Sequence, residues 1–142
     1  MNSIVATILG GAMIASQCIM AEEVSWPLEI FERLDDHRIA VFPKLEDVLD
    51  SPTWNPGKTA LPLGVEEAAR VASSFERKSI PGAEVRIREI KLMPINDRRA
   101  AGRWYYLVKL QDRLEDRSED HFVAILMNGI AVPAVVSPDS VR

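Results

Sequence analysis

The hydrophobic and polar positions of this 142-residue chain show one clear helical pattern, in the stretch PLGVEEAARVASSFERK at 62–78. Its apolar side chains recur at helical spacing and form a single stripe, which comprises Val65, Ala68, Ala69, Ala72 and Phe75. Gly64 is an acceptable N-cap for this helix, and Pro81-Gly82 ends it. Because the stripe is mostly alanine, the pattern predicts a helix that lies close against the surface it covers.

Three extended segments follow the helix, since apolar and polar residues now alternate with a period of two. They lie at 83–95, 103–114 and 121–136. In the first segment the alternation slips by one residue near Arg88-Glu89, which predicts a β-bulge. The strongly charged stretch QDRLEDRSEDH at 111–121 predicts a solvated connection between the second and third segments.

A hairpin is predicted near the end of the chain, where Asn128-Gly129 is the strongest short hairpin signal. The residues after this turn, 130–136, are expected to return as a short edge strand. Pro133 has no N–H for the ladder of hydrogen bonds, so it should keep this strand from pairing along its full length.

The segment 22–58 is the least regular part of the chain and contains four prolines. Leu28 and Phe31 stand at helical spacing, and a second short turn of helix is expected around Val48. The segment has too few regular apolar positions to build a core of its own. We therefore expect it to wrap the sheet formed by the later strands.

Together these patterns predict an α+β fold, with one main helix packed on a three- to four-stranded antiparallel sheet and an N-terminal wrapping segment. The expected organisation is a signal peptide at 1–21, the wrapping segment at 22–58 and the α+β domain at 59–142.

The first 21 residues contain no charged side chain, and two glutamates follow at once. An apolar run that ends at a small residue is typical of a secretory signal peptide, which would be cleaved after Ala21. The chain is therefore expected to be exported, either periplasmic or secreted. Two alternatives stay open, namely that the run 3–21 is retained as a membrane anchor or that Cys18 carries a lipid. Gln17 precedes this cysteine where a small residue is usual, which argues against the lipid.

The second extended segment is apolar on both faces, because Tyr105 and Leu107 alternate with Tyr106 and Val108. Burying one such side chain stabilises a protein by roughly 1.5–3 kcal/mol, so neither face is expected to stay bare. The helix covers one face. The segment 22–58 is expected to cover the other face, and its proposed anchors are Trp26, Phe31 and Trp54.

The alternative is that this second face docks a protein partner, since exposed apolar patches mark interaction sites. The possible protein-binding face comprises Tyr105, Leu107, Lys109, Val123 and Ile125.

Three short motifs follow one another in the second half of the chain: LPLGVEEAARVA at 61–72, WYY at 104–106 and NGI at 128–130. Over about residues 61–136 they resemble small secreted bacterial domains of the PepSY and cystatin-like kind. Those domains have a helix with a VEEA start, a strand reading roughly WYYVV and a last strand ending in DG.V, whereas Asn128 stands here in place of the aspartate. The resemblance implies a non-catalytic domain, inhibitory towards proteases in some cases, and it carries no catalytic residue to this chain.

The two histidines are the main candidates for chemistry. His37 stands beside Asp35 and Asp36, a grouping that can hold a metal or act as an acid/base pair. Adjacent residues point apart, however, and no second ligand group has metal spacing. His121 opens the third extended segment and is expected to be a strand-end histidine.

The charged connection offers five carboxylates, from Asp112, Glu115, Asp116, Glu119 and Asp120. A calcium loop needs a glycine at its turn, and this stretch has none, while Arg113 and Arg117 are interleaved with the acids. We therefore expect a self-neutralising solvated connection, and the sequence indicates no metal, cofactor or catalytic site.

The leading hypothesis is an exported, non-enzymatic domain that binds a protein or peptide. One alternative is a small periplasmic hydrolase or ligand-binding enzyme that uses Asp36, His37 or His121. Another is a structural subunit held at the membrane by an uncleaved first segment. A net charge of -4 with mixed acids and bases gives no electrostatic footprint for nucleic acid, and no membrane contact is expected beyond the signal segment.

Overall fold

The computed structural model describes residues 28–34 and 37–138. The predicted signal peptide at 1–21, Trp26, Asp35 and Asp36 lie outside the described residues. Over the described part the chain forms strands, one long helix, a short helix and a 3-10 turn. In chain order these are β1 (Ile30–Leu34), β2 (His37–Val41), α1 (Leu45–Asp50), α2 (Val65–Ser79), β3 (Glu84–Pro94), the 3-10 turn (Arg98–Ala100), β4 (Trp104–Leu114), β5 (Arg117–Leu126) and β6 (Ala131–Pro138).

The six described strands form one antiparallel sheet in the order β1-β2-β6-β5-β4-β3. This sheet curls into a half-barrel. β3, β4, β5 and β6 follow one another as a meander, and the β1–β2 hairpin joins the sheet through β6. β6 pairs with β5 up to Pro133 and with β2 from Ala134 onward, so the proline falls where the strand changes partner.

The predicted fold of one main helix on three or four strands is wrong, because the structure has six antiparallel strands with one long helix. The expected wrapping segment at 22–58 instead contributes β1 and β2 to the sheet. Leu28 and Ile30 are buried while Glu29 and Phe31 are exposed, which is the alternation of a strand. This period of two overrides the helical spacing that predicted a helix here.

The predicted edge strand after Asn128-Gly129 is also wrong, since β6 lies between β5 and β2. The hairpin turn itself is confirmed, because the backbone of Leu126 bonds with that of Gly129 and Ile130, and Gly129 has a φ of 86°. Only a residue tolerant of positive φ fits this turn.

The charged stretch 111–121 forms strands joined by a short turn rather than a loop, although residues 113–120 are exposed to solvent as expected. β4 runs to Leu114 and β5 begins at Arg117, so the turn consists of Glu115 and Asp116 alone. Glu115 has a φ of 54°, a left-handed backbone conformation that residues other than glycine adopt rarely. The consequence is a long hairpin in which Asp112 lies opposite Glu119.

Three local predictions are confirmed. α2 begins at Val65 with Gly64 as its N-cap, as the apolar stripe indicated. The pairing of β3 with β4 shifts between Ile87 and Glu89, where the β-bulge was expected. α1 forms around Val48.

Both faces of the sheet are buried, as the alternation along β4 predicted. α2 covers one face. The core between the helix and the sheet consists of Ala68, Ala72, Tyr106, Val108, Leu110, Val123, Ile125 and Met127. The other face forms a second core of Leu28, Ile30, Ile39, Val41, Val48, Ile95, Ala100, Tyr105, Leu107, Phe122, Ala124 and Leu126. This core joins residues of β4 and β5 to residues between 28 and 48, so the segment 22–58 does cover this face, as expected, but it does so with β1, β2 and α1.

Of the predicted anchors, Phe31 and Trp54 do not belong to the core of the second face. Phe31 is 47% exposed. Trp54 contacts Trp104, with 4.9 Å between ring centroids, and Trp104 packs beside the α2 side of the sheet. Leu28 and Val48, both fully buried, pack into this core instead of Phe31 and Trp54. Within the described residues, no helix is long and apolar enough to cross a membrane.

Ala72 is fully buried against the sheet, which leaves no room for a larger side chain. We expect Ala72→Leu to lower the free energy of unfolding by about 1–3 kcal/mol through overpacking. The apolar stripe alone would predict the same cost for Ala69→Leu, but Ala69 is only partly buried, so a leucine there should cost less than at Ala72. Urea titration measures both, and exposed Arg70→Ala is the control. An Ala72→Leu midpoint equal to that of the control would contradict this packing.

Candidate functional site

The five residues of the predicted protein-binding face do not form one surface. Tyr105 and Leu107 are buried in the core on the face of the sheet opposite α2, while Val123 and Ile125 are buried in the core beneath α2. Only Lys109 is partly exposed, and it pairs with Asp120 at 3.3 Å. The cross-strand register explains the division, because Tyr105 lies opposite Leu126 rather than opposite Ile125.

The candidate catalytic residues also separate. Asp36 lies outside the described residues, and of His37 the structure describes the backbone, in β2. His121 lies in β5 and takes part in a cluster of acidic side chains that the sequence did not predict. We call this group, formed by Glu76, Asp112, Glu119 and His121, the histidine–carboxylate cluster.

The histidine–carboxylate cluster stands at the end of the core beneath α2. Glu76 follows Ala68 and Ala72 at intervals of four, so the helix turns it towards the sheet, where it is 3% exposed. On the sheet, Asp112 of β4 lies opposite Glu119 of β5. His121 stands two residues further along β5 and therefore on the same face as Glu119.

The imidazole of His121 is surrounded by three carboxylates. Its Nε2 lies 3.5 Å from Oδ2 of Asp112 and 3.6 Å from Oε2 of Glu119. Its Nδ1 lies 3.6 Å from Oε1 of Glu76. These separations exceed the 2.7–3.2 Å of an ordinary N–H···O hydrogen bond.

Several buried polar atoms of the cluster have no hydrogen-bond partner. Within the described residues, five buried side-chain polar atoms lack one, and three of them belong here: both carboxylate oxygens of Asp112 and Nε2 of His121. Asp112 is only 4% exposed. Burying a carboxylate without hydrogen bonds is costly, so Asp112 requires a partner, which a proton on Glu76 or a bound cation would supply.

Burial, and then the neighbouring Asp112 carboxylate, raise the pKa of Glu76 from 4.5 to about 7. Two carboxylates enclosed together repel each other, and a proton held by Glu76 relieves this repulsion. A cation placed among these groups would relieve it as well. A proton and a cation therefore compete for the cluster.

The separations between Nε2 of His121 and its two nearest carboxylates are close to those in the coordination shell of a transition-metal ion. Two donors that bind one tetrahedral zinc ion at about 2.0–2.1 Å stand about 3.3–3.4 Å apart. Nε2 of His121 has this relation to Asp112 and Glu119, at 3.5 and 3.6 Å. The Nδ1 side faces Glu76, in the arrangement by which a carboxylate orients a metal-binding histidine.

A cavity of about 330 Å³ opens beside the cluster. Asp112 and Glu119 form part of its wall, together with Ile80, Leu114, Glu115 and Arg117. Both carboxylate oxygens of Asp112 and Nε2 of His121 are themselves buried, so the cavity lies beside the cluster without exposing these atoms.

The sequence contained a signal for the cluster in its alternation patterns. Asp112 continues the alternation of Val108 and Leu110, and His121 continues that of Val123. Extending the α2 stripe by four residues from Ala72 reaches Glu76. The charged composition of 111–121 suggests a loop, and a loop would end both strand patterns before they reach Asp112 and His121.

Comparison with known proteins gives no relative to set beside this geometry. No protein-family model matches the chain, and neither a curated protein nor a solved structure matches it. The histidine–carboxylate cluster itself is therefore the basis for proposing a function.

Proposed function

We propose that this protein binds a divalent transition-metal ion at the histidine–carboxylate cluster. Nε2 of His121, Asp112 and Glu119 supply the ligands, and Glu76 orients the imidazole through Nδ1. The observation that carries the proposal is the set of buried, unbonded atoms on Asp112 and His121, which face each other at 3.5 Å.

The donor set favours zinc or a similar first-row ion. Imidazole nitrogen suits zinc, and carboxylate oxygen is a common companion in its sites. Calcium prefers six to eight oxygen ligands, more than these side chains offer. Three protein donors also leave one position of a tetrahedral ion open, which is typical of catalytic rather than structural zinc sites.

Zinc binding to the full-length chain tests the proposal by isothermal titration calorimetry and by metal analysis after dialysis. We expect one zinc per chain, and His121→Ala or Asp112→Asn should weaken binding by more than about 100-fold, since loss of an orienting partner alone costs 10–100-fold. Glu76→Gln should retain most of the affinity, because glutamine keeps an oxygen that could accept the hydrogen bond from Nδ1–H with which Glu76 would orient the imidazole.

Asp120→Asn is the matched control for the zinc titration. Asp120 is an exposed carboxylate next to His121 in sequence, but it pairs with Lys109 on the other side of β5. Its variant should bind zinc like the parent chain. Equal affinities for the parent, His121→Ala and Asp112→Asn proteins would place the zinc elsewhere and refute the proposed site.

The exported, protein- or peptide-binding role stays a second proposal, supported by a different surface from the one expected. Phe31, Ala40 and Val135 lie side by side across β1, β2 and β6. Phe31 is 47% and Val135 58% exposed, and Phe42, 46% exposed, meets the ring of Phe31 edge-on. An exposed apolar patch of this kind is typical of an interaction surface.

A further inference from the structure

The two edge strands of the sheet, β1 and β3, differ in how well they are protected from pairing with another chain. β3 has a bulge between Ile87 and Glu89, and its exposed positions carry charged side chains or proline. Both features keep an edge strand from adding a further strand. β1 pairs with β2 in an unbroken register from Ile30 to Leu34, and none of the other described strands pairs with its opposite side. A further strand is therefore most easily added at β1.

The outer face of β1 presents an aromatic ring between two opposite charges. Phe31 is exposed, and the guanidinium of Arg38 stands 4.5 Å from the centre of its ring. Glu29 and Arg33 are also exposed, and they lie on the same face because each is two residues from Phe31. An acid, a ring and a base in this order are complementary to the same three groups running in the opposite direction.

This order selects one register for two antiparallel copies of β1. With Phe31 on the two-fold axis, Glu29 stands opposite Arg33 of the second copy, and Arg33 stands opposite the second Glu29. On the inner face Ile30 stands opposite Glu32, so no two like charges are opposite each other. Moving the axis by one residue, to Glu32, would set this glutamate opposite itself, which is unfavourable.

We propose that two copies of this protein associate through β1 in this register and form one continuous sheet. The inference rests on the second role proposed above, that of a protein-binding surface, and it gives the exposed patch around Phe31 a definite occupant. β1 has only five residues, so the interface is small and the dimer should be reversible. The metal site is independent of this contact, because Asp112 and His121 lie on β4 and β5.

Charge reversal at the two ends of β1 tests the proposed register. Sedimentation equilibrium of the full-length chain over a wide range of protein concentrations should show monomer and dimer in equilibrium. Glu29→Arg would set two pairs of arginines opposite each other in the dimer, and Arg33→Glu would do the same with glutamates. Each variant should associate about tenfold more weakly than the parent chain, or less, because like charges directly opposite each other repel.

An equimolar mixture of the two variants provides a rescue. When Glu29→Arg pairs with Arg33→Glu, opposite charges meet again at both positions, so the mixture should associate like the parent chain. Glu89→Arg is the matched control, since it makes the same charge change at an exposed position of the other edge strand. This control should also associate like the parent. Non-specific association through the apolar residues 1–21 would show neither the weakening nor the rescue.

The possible failures are distinguishable. A dimer that is indifferent to both charge reversals, or that the mixture does not restore, uses another surface or register and refutes the inference. A chain that stays monomeric at every concentration refutes it as well. If such a monomer binds a hydrophobic dye and Phe31→Ala lowers this binding, the apolar patch remains a surface for a different partner. If the monomer binds no dye, the second proposed role fails together with the inference.

Discussion

Replacing Leu28 by alanine is expected to lower the free energy of unfolding by about 2–5 kcal/mol, the usual cost of removing a buried leucine side chain. Leu28 is fully buried and belongs to the core on the face of the sheet opposite α2. Truncation would leave a cavity in a core that also contains Tyr105 and Leu107, which are buried as well. Of the strands that contribute to this core, β2, β4 and β5 are hydrogen-bonded on both sides, which restricts their collapse into the space.

Phe31→Ala is the matched control for this experiment. Phe31 lies three residues further along the chain and is 47% exposed on the opposite face of β1. Its truncation should cost much less than that of Leu28, although the sequence suggested Phe31 as an anchor. Urea titration of both variants decides between the two residues. A larger loss for Phe31→Ala would mean that the outer face of β1 is the covered one.

Glu76→Gln is expected to stabilise the metal-free protein at high pH and to leave its stability unchanged at low pH. The pKa of Glu76 is raised from 4.5 to about 7 in the folded protein, first by burial and then by Asp112. Because the folded protein binds this proton more tightly than the unfolded chain does, protonated Glu76 contributes to the free energy of unfolding. The contribution is complete below the unfolded pKa and is lost as the pH rises through the folded pKa. Since each pKa unit corresponds to about 1.4 kcal/mol, the loss between pH 4 and pH 8 is roughly 3 kcal/mol.

Glutamine resembles the protonated glutamate at every pH, so the variant should lack this loss. The measurement is the difference in unfolding free energy between the two proteins, taken from pH 4 to pH 8 with a chelator present. Taking a difference cancels the titration of distant groups, but Asp112 of β4 and His121 of β5 face Glu76 directly. For this reason His121→Gln is tested in both backgrounds. A difference that stays flat across the range would contradict a raised pKa at Glu76.

The elements with strong local signals were predictable from the sequence. The alanine stripe of α2, the slipped alternation of β3 and the Asn128-Gly129 turn all appear where their patterns indicated. Each depends on residues close together in sequence. The expectation that β4 is buried on both faces is confirmed for the same reason, since alternation along one strand is enough to show it.

The parts that failed depend on pairing between distant strands. Nothing near Ile39 indicates that it pairs beside Val136, so β1 and β2 were assigned to a wrapping segment and β6 to an edge. The two-residue turn between β4 and β5 was not predicted, because Glu115 occupies a left-handed position where glycine is the usual signal. That one turn sets Asp112 opposite Glu119, so the error about the hairpin also concealed the candidate metal site.

The position of β6 between β5 and β2 affects how the chain can fold while it is being synthesised. Ile39 and Val136 are neighbours in the sheet but are separated by 97 residues of chain, from 39 to 136. The β1–β2 hairpin leaves the ribosome before β6, its pairing partner, is made. Contacts between such distant residues form slowly, because the long intervening loop must first be closed. Until β6 is made, β2 remains without this partner, and a nascent chain in such a state is a substrate for chaperones.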